Sequence, residues 1–368
     1  MNTNRYGNKV SMLGTSALLA VVFLFQVAMA QNNPSLKGSV ERIKVHGKGL
    51  EGNLEGDSPD RDVSIYLPPS YKKDTKRRYP VVYFLHGFTD DDARWYGFQQ
   101  HWINLPRIVD SVLVAGGARE MIIVTPNAYT RYQGSMYSNS VTTGNWEDYV
   151  AKELVAYIDA HYRTLPGAAS RGLAGHSMGG YGTMRIGQKY PDTFSSLYLL
   201  SPCCMMPGNN VPQQPQALAK VEAIKTVADF EKGDFFTKAT FASAAAWSPN
   251  PANAPLFVDL PVKDGQLQPL IQAKWAANMP LATLDQHIFN IRQLRALAFD
   301  AGDKDAQIAA SIKELNRALT TYGVKHTYEE YEGDHINRIG ERIAQKVLAF
   351  FSNHLQFTPS QEPTKGKK

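Results

Sequence analysis

An α/β architecture, with a mostly parallel central sheet and helices on both faces, is the fold this sequence predicts. Two observations carry it. Short runs that are apolar throughout recur along the chain: Tyr79 to Leu85, Met121 to Val124 and Ser196 to Leu200. A strand without polar alternation is one covered on both faces, as in a parallel sheet. Between these runs lie segments with apolar residues at helical spacing, so strands alternate with helices. A length of 368 residues allows one large domain or two average ones, and 43% hydrophobic with 20% charged residues suits a chain that buries a core.

Taken in order, the chain begins with Arg5 and Lys9, an apolar run from Val10 to Val27, and Ala28-Met29-Ala30 ahead of Gln31. That pattern predicts a cleaved signal peptide over residues 1–30, and hence export to the periplasm or medium with no stable membrane association afterwards. Gly14, Thr15, Ser16 and Gln26 dilute the run, which argues against a retained span. Residues 31–358 are expected to form a single domain. Within it, Ser39 to Tyr66 alternates as one or two antiparallel strands would. Trp146 to Tyr162 carries Val150, Leu154, Ile158 and Tyr162 on one helical stripe. Arg295 to Phe299 reads as a strand, and the helix after it aligns Ile308, Ile312, Leu315 and Leu319, with Gly323 as its C-cap. His326 to Tyr331 is the expected last strand, and Ile339, Ile343 and Val347 mark the final helix. Residues 205–294 separate two core strands, too long a stretch for a loop, and predict a cap-like insertion. Residues 359–368 read as a basic disordered tail.

The net charge of +5 lies largely in the leader and the tail, and the near-neutral body argues against nucleic acid as a partner. The only two cysteines, Cys203 and Cys204, are adjacent. One peptide bond holds their Cα atoms closer than a disulfide prefers, so they read as small residues ending a strand.

Gly175-His176-Ser177-Met178-Gly179 fits G-x-S-x-G between a strand and a helix, the sharp turn that lifts a nucleophilic serine clear of its sheet. A serine hydroxyl needs a base, and the base needs a carboxylate to fix its tautomer. His335 stands between the last strand and the last helix, where that base belongs. His176 touches the serine in sequence, but the turn should aim its ring elsewhere. For the acid, the loop after Phe299 offers Asp300, Asp303 and Asp305, and Asp305 also occupies an N-cap position. The residues alone leave all three open. Two backbone N–H groups would hold the oxyanion: Met178 after the nucleophile and Phe88 after Leu85-His86-Gly87. There is no dinucleotide fingerprint, phosphate loop or metal-ligand spacing, so no cofactor and no metal are expected.

Together these residues resemble the putative esterase family, which includes esterase D, S-formylglutathione hydrolases, feruloyl and acetylxylan esterases of carbohydrate esterase family 1, and secreted mycolyltransferases. The likeness runs from about Leu50 to Phe351, through Tyr66-Leu67-Pro68-Pro69, Leu85-His86-Gly87, Gly134-Ser135-Met136-Tyr137, Asn139-Ser140, Thr143 to Asp148 and the elbow. It implies an α/β-hydrolase fold and hydrolysis of acyl esters through a serine acyl-enzyme, without metal or cofactor. Gly302-x-x-Asp305 resembles the family's acid motif and favours Asp305. Gly333-Asp334-His335 resembles its histidine motif.

The expected function is therefore an exported serine esterase with a Ser177, Asp305 and His335 triad, acting on a small-molecule or saccharide ester. An acylated saccharide or an aryl-acid ester fits best, because Trp95, Tyr96, Trp102, Tyr129, Tyr132 and Tyr137 follow strands that end at the catalytic edge. Trp95, Tyr137 and Asn139 are the expected substrate contacts. An acyltransferase of the mycolyltransferase type would share the acyl-enzyme. A thioesterase like S-formylglutathione hydrolase fits less well with export.

Overall fold

The computed structural model describes residues 37–207 and 215–358. The expected signal peptide and basic tail lie outside the described residues. Eight strands form the central sheet: β1 (Ser39–His46), β2 (Asp60–Leu67), β3 (Val81–Leu85), β4 (Ile122–Pro126), β5 (Arg171–His176), β6 (Ser196–Leu200), β7 (Ala296–Gly302) and β8 (Thr327–Tyr331). Their order across the sheet is β1-β2-β4-β3-β5-β6-β7-β8. β2 runs antiparallel to both its neighbours, and from β4 to β8 every pairing is parallel. Every residue of β3, β4, β5 and β6 is buried, which is why these runs show no polar alternation. The edges differ: Glu41, Arg42 and Lys44 on β1, and Glu329 and Glu330 on β8, give each outer strand charges that discourage pairing with another chain.

Two apolar clusters cover the sheet. On one side lie Leu105–Val114 and the last helix, through Ile339, Ile343, Val347 and Phe351. The larger cluster takes the helical stretch from Trp146 to His161, through Val150, Leu154 and Ile158, together with the 205–294 segment. Both long helices contain a π turn, at Tyr149–Glu153 and Ile343–Val347, which the apolar spacing did not reveal. Leu105–Val114 was also not anticipated from the sequence.

The 205–294 segment is helical where described: Pro215–Ala223, Val227–Lys232, Phe235–Trp247 and Pro269–Ala277, plus shorter turns and a two-residue hairpin. It is bonded to the body rather than draped over it. Trp247 Nε1 donates to Ser138 Oγ, Tyr132 OH to the Leu256 carbonyl, Thr142 Oγ1 to the Phe257 carbonyl and Tyr181 OH to the Asn278 carbonyl. Among the described residues no helix is long and apolar enough to cross a membrane.

One buried group sets a stability test. Glu55 is 1% exposed and neither carboxylate oxygen has a hydrogen-bond partner among the described residues. Burial first, and the nearby Asp57 carboxylate second, push its pKa up to about 9. The folded chain therefore keeps this proton across a window, from the ordinary glutamate range to about 9, in which the unfolded chain has lost it. The contribution is full below that window and declines as pH rises through it, by at most about 1.4 kcal/mol per pH unit. Glu55→Gln should flatten the alkaline side of the stability curve, gaining on the order of 1 kcal/mol or more at pH 8 and little at pH 4. Urea unfolding at several pH values measures it, and parallel curves for the two proteins would refute it.

Candidate active site

The order of strands reverses on either side of the β3–β5 pair, and the crevice above such a reversal is where open α/β sheets place ligands. Ser177 sits there, between β5 and the Met178–Lys189 helix, with φ 56° and ψ −115°. A left-handed φ is costly for a residue with a Cβ and persists only where its surroundings impose it. Here they do. A Cβ on Gly179 would lie 2.0 Å from the Leu85 carbonyl oxygen, and one on Gly175 would lie 2.3 Å from the Gly179 carbonyl. Helix and strands thus meet at backbone distance, and Ser177 N donates to the Leu200 carbonyl at 3.0 Å.

Two loops from the far half of the sheet complete the group. His335 Nε2 lies 2.9 Å from Ser177 Oγ, and its Nδ1 lies 2.6 Å from Asp305 Oδ2. Asp305 occupies the N-cap position of the Ala306–Thr321 helix but makes no side-chain cap bond; its carboxylate is turned to the imidazole instead. The other two carboxylates are committed elsewhere. Asp300 is fully buried, accepting from Arg342 and from Tyr198 OH. Asp303 Oδ1 accepts from the Gly333 amide and braces the histidine loop. The two loops are stitched together by Asp303 N to the Tyr331 carbonyl and Lys304 N to the Gly333 carbonyl.

Met178 and Phe88 both border the cavity beside Ser177. Met178 N–H belongs to the first turn of its helix, whose amides have no intrahelical acceptor. The Phe88 loop is held from beneath: His86 Nδ1 bonds the Gly87 carbonyl, His86 Nε2 accepts from Ala128 N, and Asp90 N donates to the Gly87 carbonyl. Burial holds His86 neutral, as this pattern of one donor and one acceptor nitrogen requires.

The putative esterase family matches residues 58–339 of this sequence, well over half of it. The chain belongs to this family. A protein named as an esterase from Mycobacterium tuberculosis is 35% identical over 136 residues, covering 36% of this chain and 27% of that protein. An endo-1,4-beta-xylanase/feruloyl esterase from Xylanibacter ruminicola is 29% identical over 147 residues, covering 39% of this chain and 20% of its own. The chain thus spans only about a quarter of the length of these curated relatives. A solved ferulic acid esterase superposes with a TM-score of 0.57 at 21% identity, covering 87% of this chain and 99% of that one, a likeness of fold.

Of the three expected substrate contacts, the structure brings none to the cavity. Trp95 is fully buried in the Asp92–Trp95 turn and donates to Asp90. Tyr137 is fully buried and its hydroxyl donates to the His86 carbonyl at 3.0 Å. Both brace the Phe88 loop from behind, since a position just past a strand end does not say which way a side chain faces. Asn139 Oδ1 accepts from the Glu147 and Asp148 amides, securing the start of a helix away from Ser177. The cavity wall comes instead from Met136, Cys203 to Met206 and two helices of the 205–294 segment, with Phe235 and Phe236 at its mouth. These two phenylalanines are 57% and 75% exposed, and Phe235 meets Phe88 edge to face at 5.5 Å. Two adjacent exposed phenylalanines opening a helix were the available sign in the sequence.

His176 was expected to aim away from the serine, and it does, but toward the site's other half. Its Nε2 donates to the His335 carbonyl at 2.8 Å, with Trp102 packed edge-on at 5.8 Å. Burial first, then the neighbouring His335, push its pKa down to about 3, so it stays a neutral donor. His176→Phe keeps the ring packing and removes that bond. It should lower kcat by about 10- to 100-fold through misplacement of the imidazole, with KM little changed. Steady-state kinetics would show it, and an unaltered kcat would remove His176 from this role.

Proposed function

We propose that this protein is an exported esterase that cleaves carboxylic esters through an acyl-enzyme on Ser177. Its substrates are acylated saccharides or aryl-acid esters whose acyl group enters the apolar cavity. The observation that carries the reading is the hydrogen-bonded sequence from Asp305 through His335 to Ser177 Oγ. In the first half-reaction His335 takes the serine proton as Oγ attacks the carbonyl carbon, and Asp305 supports the imidazolium. The developing oxyanion is met by Met178 and Phe88 N–H groups, worth about 3–4 kcal/mol each in comparable sites. His335 then passes the proton to the departing alcohol. Water, deprotonated by the same imidazole, releases the acid.

A cavity of about 1060 Å³, walled by methionine, phenylalanine and alanine side chains, supports an acyl group larger than acetyl. The feruloyl esterase named among the relatives and the ferulic acid esterase that shares the fold support an aryl acid. Each methylene that finds room adds about 0.8 kcal/mol, or roughly fourfold. Feruloyl or hexanoyl esters should therefore exceed acetyl esters in kcat/KM by about tenfold or more. A panel sharing one leaving group measures this, and an acetyl preference would overturn the acyl assignment.

A further inference from the structure

Cys203 and Cys204 do more in this structure than end a strand. They are the only cysteines of the chain and neither is in a disulfide. Along an extended strand, neighbouring side chains point to opposite faces. Here both residues border the cavity beside Ser177, and their Sγ atoms stand 2.9 Å apart. The chain leaves the extended form to achieve this, with φ 40° at Ser201 and 59° at Cys204. The pair is also tied to the nucleophile's own backbone, because Cys203 N donates to the Ser177 carbonyl at 3.2 Å.

We propose that Cys203 and Cys204 form a reversible thiol–disulfide site, closed by a low-molecular-weight disulfide, and that its closure reshapes the cavity wall and lowers ester turnover. The hydrogen bond it shares with Cys204, in which the Cys203 thiol keeps its proton, and then burial push the Cys203 thiol up, which leaves Cys204 as the sulfur that attacks first. The Cys204 thiolate breaks the external S–S bond, forming a mixed disulfide and releasing one thiol. Cys203 sulfur, giving up its proton, then displaces the second thiol and forms the Cys203–Cys204 bond. Two protein S–H groups are oxidised and one external disulfide is reduced to two thiols, so atoms and electrons balance.

The same short separation that argued against a structural staple now favours a switch. Adjacent Cα atoms lie about 3.8 Å apart, below the roughly 4.4–6.8 Å of ordinary disulfides, so the closed ring is strained and readily reduced. Closure turns the 203–204 peptide, and with it the amide that holds Ser177. The consequence for turnover rests on Ser177 being the nucleophile; the thiol chemistry does not.

The test uses the full chain with oxidised glutathione, followed by denaturing alkylation with iodoacetamide and intact mass. The expected product has lost two hydrogens and takes up no alkyl group, and dithiothreitol restores both thiols. Its kcat/KM on a p-nitrophenyl ester should be lower by about tenfold and recover on reduction. Cys203→Ser should stop at a glutathione adduct on Cys204. Two alkylated thiols, or an adduct that never resolves in the native chain, would overturn the site; closure without a change in turnover would overturn its control of the cavity. Fluorophosphonate labelling of the reduced protein keeps the premises apart. A chain that does not label loses the nucleophile assignment, while the mass still decides the thiol site.

Discussion

Ser177→Ala should reduce turnover of p-nitrophenyl acetate by about 10⁴- to 10⁶-fold, the largest loss expected of any single change in this chain. Alanine removes the oxygen that becomes acylated, and among the described residues no other side chain stands ready to replace it: Cys203 and Cys204 border the cavity, yet the His335 imidazole is bonded to Ser177 Oγ. What should survive is the small rate owed to binding and to the Met178 and Phe88 amides. The fold should survive as well, since among the described residues Ser177 Oγ bonds only to His335, and the backbone bonds of Ser177 remain. A fluorophosphonate probe should label the native chain and leave the variant unlabelled. Labelling of Ser177→Ala, or retention of most of the esterase rate, would show that the nucleophile lies elsewhere.

The parts of this site legible in the sequence are those where local backbone chemistry and position along the chain suffice. Gly175, Ser177 and Gly179 announce a turn that only close backbone contact can sustain, and His335 follows the last strand, where topology places a base. Uninterrupted apolar runs gave away β3, β4 and β6 because both faces of each are covered. Side-chain direction was not legible. Trp95 and Tyr137 were expected to face a substrate, yet each spends its polar atom on the loop behind Phe88. Nor could spacing reveal that the 205–294 segment supplies the cavity wall, because Phe235 borders the cavity beside Ser177 only through the packing of its helix on the body. The bond from His176 to the His335 carbonyl spans 159 residues and leaves no local trace.

The carboxylates of Asp300, Asp303 and Asp305 face three different partners, and kinetics should single out Asp305, the acid we propose. Asp305→Asn should lower kcat by about 10³- to 10⁴-fold. An amide in that place can offer its N–H to His335 Nδ1, which favours the tautomer with hydrogen on Nε2 and leaves no lone pair to take the serine proton. It also withdraws the negative charge that supports the imidazolium in the transition state. Loss of a helix cap is no rival explanation, because the Asp305 side chain makes no cap bond. Asp303→Asn keeps an oxygen for the Gly333 amide and should cost less than about tenfold. Asp300→Asn takes one of two carboxylates from the buried Arg342, which keeps its pair with Glu329, so it should cost about 1.5–3 kcal/mol of stability while the molecules that remain folded turn over nearly normally. The three variants therefore separate on two axes, kcat from steady-state assays and stability from urea unfolding. A large kcat loss in Asp303→Asn with Asp305→Asn nearly unaffected would transfer the acid to the neighbouring loop position, and the His335–Asp305 contact would then be only structural.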